Sequence, residues 1–178
     1  IAQWLNINPY QLFFAWADGS GYDLACASAK SGVLYHKNGI EPVISNIHWN
    51  PSFKDEIFFL HLGEKQKSER EVKKYGQLNF DRNGAILQVN ELTKRMVEAS
   101  NLQDFEDVVR EHEILISSIL GRAPVKELLF ADYEGTVKSL GAWGGDFVMV
   151  TKRPEFVSYF EGKGFKTLLS YDQMIYES

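Results

Sequence analysis

Cysteine is almost missing: Cys26 is the one thiol in 178 residues, so no disulfide can form within the chain. A reducing compartment, and so a cytoplasmic location, is the expectation. Long apolar runs are missing too. None approaches the ~18 residues that a membrane-spanning helix needs, and no membrane partner is expected. There is no basic excess either: 19 Lys and Arg stand against 24 Asp and Glu, a formal charge of −5. That balance argues against gripping nucleic acid through bulk charge, which needs a basic stripe. The opening Ile1-Ala2-Gln3-Trp4-Leu5-Asn6 lacks the basic region and cleavage site of a signal peptide. It also lacks an initiator Met and starts inside a helical pattern, so the chain reads as a piece of something longer. Internal repeats and low-complexity tracts are not found.

What is present is 44% hydrophobic and 24% charged, a composition that excludes disorder, collagen-like repeats and coiled coil. A chain of this length buries roughly 70% of its unfolded surface, enough for one core or two small ones. Residues 1–16 carry Ile1, Trp4, Leu5, Leu12, Phe13 and Trp16 at rough helical spacing, broken near Pro9. The small-residue run 24–29 predicts a helix that packs closely against a neighbour. Short strands are expected at 32–36 and 42–47, joined by Lys37-Asn38-Gly39, an Asn-Gly hairpin signal.

Further along, strands are expected at 57–62, 136–140, 147–151 and 165–169. Helices are expected from about residue 67, at 83–100, at 102–120, and from Pro154 to Phe160. The 102–120 pattern is the clearest, with Phe105, Val109 and Ile116 on a stripe that should face the sheet and Gly121 ending the helix. The segment 125–131 is apolar, short and open to either assignment. The order from residue 57 is then β-α-α-α-β-β-α-β, an α+β sheet with helices on one face.

Metal chemistry has little footing. His36, His48, His61 and His112 show no ligand spacing, and Glu111-His112-Glu113 lacks the second histidine of a zinc helix. His112, on the apolar helix face, reads as a satisfied histidine at the edge of the core. Cys26 sits among alanines and reads as a small buried residue. The run Gly162-Lys163-Gly164-Phe165-Lys166-Thr167 holds phosphate-loop letters in the wrong arrangement.

Two glycine loops remain. Gly19-Ser20-Gly21-Tyr22-Asp23 puts an acid just after a turn and at the start of the small-residue helix. There the helix dipole favours the charged carboxylate, which can accept or orient a hydroxyl proton; the plainer reading is that Asp23 caps the helix. Gly141-Ala142-Trp143-Gly144-Gly145-Asp146 joins two strands. Its glycines permit close backbone approach and an anion nest, or serve only a tight hairpin.

Taken together, these loops carry a family resemblance that spans essentially the whole chain. The stretch from Gly19 through Tyr22-Asp23-Leu24-Ala25-Cys26-Ala27 to Tyr35-His36 resembles the catalytic-aspartate segment of the GHMP kinases (galactokinase, homoserine, mevalonate and phosphomevalonate kinases). Lys138-Ser139-Leu140-Gly141-Ala142-Trp143-Gly144-Gly145-Asp146 resembles that family's third motif, a Lys-x-Thr-Gly-Ala-Gly-Gly-Gly-Gly-like loop. Leu140, Trp143 and Asp146 depart from it. The resemblance implies that 1–55 is the end of a GHMP N-terminal domain and 56–178 the C-terminal domain, a ferredoxin-like sheet. The family's phosphate loop does not occur in this sequence.

The implied activity is transfer of the γ-phosphoryl group of ATP to an alcohol or phosphate oxygen, with mevalonate or phosphomevalonate the nearest acceptors. A sugar kinase of the same family and a catalytically inactive binding or regulatory module are the alternatives. Asp23 would be the catalytic residue, with Ser20, Gly21 and Trp143 lining the acceptor. The backbone of Gly141, Ala142, Gly144 and Gly145 would lie near the nucleotide phosphates. Mg²⁺ is implied beside ATP, with ligands mostly outside this sequence, and a homodimer is compatible with the family. Lys65 and Lys67 are open to two readings: contact with an anionic substrate, or a solvated charge run.

Overall fold

The structure is a computed structural model that describes residues 2–17, 19–63, 75–141, 143 and 146–175. The chain divides into two compact units, Ile1–Asn50 and Pro51–Tyr176; the sequence reading places its boundary at 55/56.

The first unit holds α1 (Ala2–Leu5), α2 (Pro9–Trp16), α3 (Tyr22–Ser28) and an antiparallel pair, β1 (Gly32–His36) and β2 (Val43–Ile47). Pro9 starts α2 rather than merely interrupting a helix. It takes the first helical position, where a missing N–H is no loss, and the Asn8 side chain accepts the Tyr10 N–H at 2.9 Å. The register His36↔Val43 makes residues 37–42 the connection, longer than the tight Asn-Gly turn the sequence suggests. Among the described residues of this unit, just Gly21 and Ala25 are buried.

The second unit holds the core. A 3₁₀ turn (Lys54–Glu56) leads into β3 (Ile57–His61). There follow α4 (Arg82–Glu98), α5 (Leu102–Leu120), α6 (Val125–Leu129), β4 (Val137–Ser139), β5 (Phe147–Thr151), α7 (Phe156–Gly162), β6 (Leu168–Ser170) and α8 (Tyr171–Met174). The strands form one antiparallel sheet in the order β4-β5-β3-β6. This is α+β, as expected. The last strand starts later than the sequence suggests, and Phe165 packs instead against the core cluster. The segment 125–131 contains a short helix. The start of the helix expected from about residue 67 lies outside the described residues, as do Lys65 and Lys67; residues 75–77 are helical.

One expectation is corrected: helices cover both faces of the sheet. Side chains alternate across a strand, so Leu60, Val148 and Val150 share one face through the β3–β5 register. They pack with Val125 of α6 and with Phe156 and Phe160 of α7. Thr151 and Lys138 share the other face, and both reach α5: Thr151 hydrogen-bonds Glu106, and Lys138 Nζ lies 3.3 Å from Glu113. The physical reason is the composition of β5, whose Phe147-Val148-Met149-Val150 run has no polar face to leave in water; residues 148–151 are all buried.

Helix α5 behaves as its pattern requires. Asn101 caps it, accepting the Asp104 N–H at 3.0 Å. Phe105 and Val109 are buried and Ile116 half-buried, each fully buried side chain contributing about 1.5–3 kcal/mol. Gly121 ends the helix at φ 64°, its N–H donating to the Ser117 carbonyl. An added Cβ there meets open space, so Gly121→Ala is expected to destabilise by only about 1 kcal/mol, through the left-handed backbone alone. Urea unfolding measures it. Among the described residues, no helix is long and apolar enough to cross a membrane.

Candidate functional site

In the first unit the Gly19–Asp23 turn is tied from three directions. Gly21 adopts the left-handed conformation (φ 75°, ψ 7°) and is the N-cap of α3. It is also crowded: a Cβ would lie 3.2 Å from the Phe14 ring and 3.3 Å from Tyr10 and the Tyr35 hydroxyl. Glycine is therefore required here twice, for conformation and for space. The Ser20 hydroxyl accepts the Tyr22 N–H at 3.2 Å. The Tyr35 hydroxyl donates to the Ser20 carbonyl, and Lys37 Nζ donates to the Gly19 carbonyl at 2.6 Å while lying 4.7 Å from the centre of the Phe14 ring.

This geometry decides part of the question about Asp23. The N-cap position belongs to Gly21, which has no side chain with which to cap, so Asp23 stands inside the first turn of α3. Its side chain is exposed and makes no hydrogen bond among the described residues. A carboxylate in that place interacts favourably with the helix N-terminus and keeps its oxygens available to a donor. Ser20 is exposed beside it and Gly21 is buried. Cys26 is exposed, contrary to the buried residue expected, because the buried position of α3 goes to its neighbour Ala25.

Sequence reasoning missed Tyr35 and Lys37 as the residues that hold this turn. The period-two pattern of β1 was the available signal for Tyr35; for Lys37 there was none. Tyr35→Phe removes one hydroxyl–carbonyl bond and is expected to destabilise by about 1 kcal/mol. Denaturant unfolding checks this, and protection of the Ser20 and Gly21 amides from hydrogen exchange should fall.

In the second unit, Gly141 and Trp143 are described, whereas Ala142, Gly144 and Gly145 lie outside the described residues. Trp143 has φ 54°, a backbone state costly for a bulky side chain. Two contacts hold it there. The Arg122 guanidinium donates to the Trp143 carbonyl, and the Tyr75 and Trp143 rings pack with centroids 5.5 Å apart. Trp143 forms part of the wall of a cavity of about 330 Å³, with Ile116, Leu120, Leu128 and Phe165 among its neighbours. Gly141 (φ 63°) supplies the bend that leads the chain out of β4. One oxygen of Asp146 is buried without a hydrogen-bond partner.

Beside the cavity lies a buried charged cluster. Glu113 Oε2 accepts the Ser139 N–H at 3.1 Å and the Ser139 hydroxyl at 2.7 Å, while Lys138 Nζ stands 3.3 Å from Oε1. Burial alone would push the Glu113 carboxyl up; His112, the Lys138 charge and the Ser139 donors outweigh it and hold it at about 2. Desolvation pulls Lys138 below the usual lysine range, opposed by Glu113. His112 is half-buried with Nδ1 3.1 Å from Lys138 Nζ, a satisfied histidine as the sequence suggested. A carboxyl held this low is a poor proton acceptor near neutrality, which makes the cluster structural rather than a general base.

Among the described residues, no three His, Cys, Asp or Glu side chains gather closely enough to hold a metal ion by themselves. Comparison with known protein families and with curated proteins finds no match.

Proposed function

We propose that this chain is part of an ATP-dependent small-molecule kinase of the GHMP type, acting on an alcohol or phosphate acceptor such as mevalonate or phosphomevalonate. One observation carries the reading: the Gly19–Asp23 turn, tied down by Tyr35 and Lys37, leaves the Asp23 carboxylate exposed and without a hydrogen bond among the described residues. A side chain that merely capped its helix would use that oxygen internally. The antiparallel order β4-β5-β3-β6 is compatible with the ferredoxin-like reading of the second unit, although α5 and α7, which connect its strands, cover opposite faces.

In this reading Asp23 accepts the acceptor's O–H. As the acceptor oxygen bonds to the γ-phosphorus, the bond from that phosphorus to the β–γ bridging oxygen breaks. ADP leaves, and the proton passes to the carboxylate. Such transfer depends on positioning more than on covalent catalysis, which is what a tethered turn supplies. Ser20 and Gly21 would line the acceptor. Trp143 and the 141–145 backbone keep the roles that the resemblance implies.

The test is ADP release by the full-length protein with ATP and, in turn, mevalonate, phosphomevalonate, galactose and homoserine. Release that depends on one acceptor supports the reading. ADP formation indifferent to all four counts against it.

A further inference from the structure

We propose that Asn38 is a self-modification site: its side-chain amide converts spontaneously to a carboxylate, as aspartate or isoaspartate, while Asn83, which glycine also follows, is spared. The proposal concerns backbone chemistry and stands whether or not the kinase reading does.

The reaction needs no enzyme. The backbone nitrogen of the residue after asparagine loses its proton to solvent and attacks the side-chain carbonyl carbon, Cγ. A new N–Cγ bond closes a succinimide ring as the Cγ–Nδ2 bond breaks, and the amide leaves as ammonia. Solvent water then opens either imide bond, giving aspartate or isoaspartate; nothing is oxidised or reduced. The rate depends on open approach to Cγ, on an N–H free of hydrogen bonds, and on a backbone that can bring the nitrogen over Cγ. Glycine is the most permissive follower, because it has no Cβ and few conformational limits.

The chain holds two Asn-Gly pairs, 38–39 and 83–84, and the fold treats them oppositely. Asn38 and Gly39 are both exposed in the 37–42 connection between β1 and β2. Gly39 has φ 59°, and a Cβ built on it meets nothing within 4 Å, so the surroundings are open. Among the described residues, neither the Gly39 N–H nor the Asn38 side chain makes a hydrogen bond. Asn83, by contrast, lies in the first turn of α4, and the Gly84 N–H donates to Asp81 Oδ1 at 3.0 Å. The nitrogen that would attack is held by the helix cap, and a carboxylate against it opposes loss of its proton. The helical ψ near −42° also turns that nitrogen away from Cγ.

The consequence falls on Lys37, whose Nζ donates to the Gly19 carbonyl at 2.6 Å. Each event adds a negative charge, at the next residue, to a chain already at −5. A carboxylate is a stronger partner for an ammonium than a neutral carbonyl is, so it competes for Lys37. The isoaspartyl product also puts an extra methylene into the main chain there. Conversion at Asn38 therefore loosens the Gly19–Asp23 turn.

The experiment incubates the full chain in mildly alkaline buffer and maps its peptides by mass spectrometry at intervals, following amide-to-acid conversion at both asparagines. Asn38 is expected to convert about tenfold or more faster than Asn83, the scale of even a modest local opening cost. Raising the pH should speed it, because the attacking nitrogen must be deprotonated. Asp81→Ala should accelerate Asn83 about fivefold, the effect of losing a cap, and leave Asn38 unchanged. Asn38→Gln should abolish the early acidic species on ion exchange. Equal rates at the two sites, or an Asn38 that stays intact while a synthetic peptide of residues 34–43 converts, would overturn the site. Hydrogen exchange in the peptide spanning residues 17–24 should be faster in the converted protein than in the fresh one; identical exchange would overturn the link to the turn.

Discussion

Asp23→Asn in the full-length protein is expected to lower turnover by roughly 10²-fold or more, the scale for losing a positioned acid–base group. The change is nearly isosteric and leaves the turn intact, because Gly21, Tyr35 and Lys37 hold it and Asp23 contributes no hydrogen bond to it among the described residues. Thermal unfolding should therefore move little, within the ~0.5 kcal/mol usual for exposed positions. Nucleotide affinity should also persist, since in the proposed reading the carboxylate acts on the acceptor. The informative pattern is a large loss in turnover with little change in stability. Near-normal turnover would reduce Asp23 to an exposed charge at a helix start.

Glu113→Gln should have the largest effect on stability. The folded carboxyl sits at about 2 against an ordinary value of 4.5, and each unit corresponds to ~1.36 kcal/mol. The depressed value means that the charged form is favoured in the folded state, so the contribution is present in full above the ordinary value and is lost as pH falls toward 2. At pH 7 the variant should be less stable by roughly 3 kcal/mol. The loss includes a buried Lys138 left without its counter-charge. At pH 3 the gap between wild type and variant should shrink by about half or more. Urea unfolding at the two pH values measures both numbers, and a gap of equal size at each would contradict the ion-pair account.

The sheet and its main helix were legible because their signals are strong and local. The stripe of α5, its glycine stop and the apolar runs of β3 and β5 leave few alternatives. The helical cover of both faces is implicit in β5 as well, since that strand has no polar face. Element ends were harder: Phe165 looks like strand and is used as core, because the ring fills space against Phe130 at 5.4 Å. The buried acids were not foreseen. Glu106 and Glu113 read as the polar side of an amphipathic helix; each is buried because its partners, Arg153 for one and Ser139 with Lys138 for the other, arrive from strands or loops far along the chain. Of the candidate site, the acidic turn was visible in the sequence as a motif. Its tethers, Tyr35 and Lys37, and the Arg122 and Tyr75 contacts that hold Trp143 depend on tertiary contact and leave little local trace.

The central claim is that phosphorus moves from ATP to an acceptor oxygen under the control of Asp23. Phosphorus NMR of the full-length protein with ATP, Mg²⁺ and mevalonate or phosphomevalonate follows that transfer directly. The expected result is a new phosphate ester or diphosphate signal growing in step with ADP, and its near disappearance in Asp23→Asn. Phosphate released to water with no new acceptor signal, or an acceptor signal that Asp23→Asn leaves undiminished, would contradict the account.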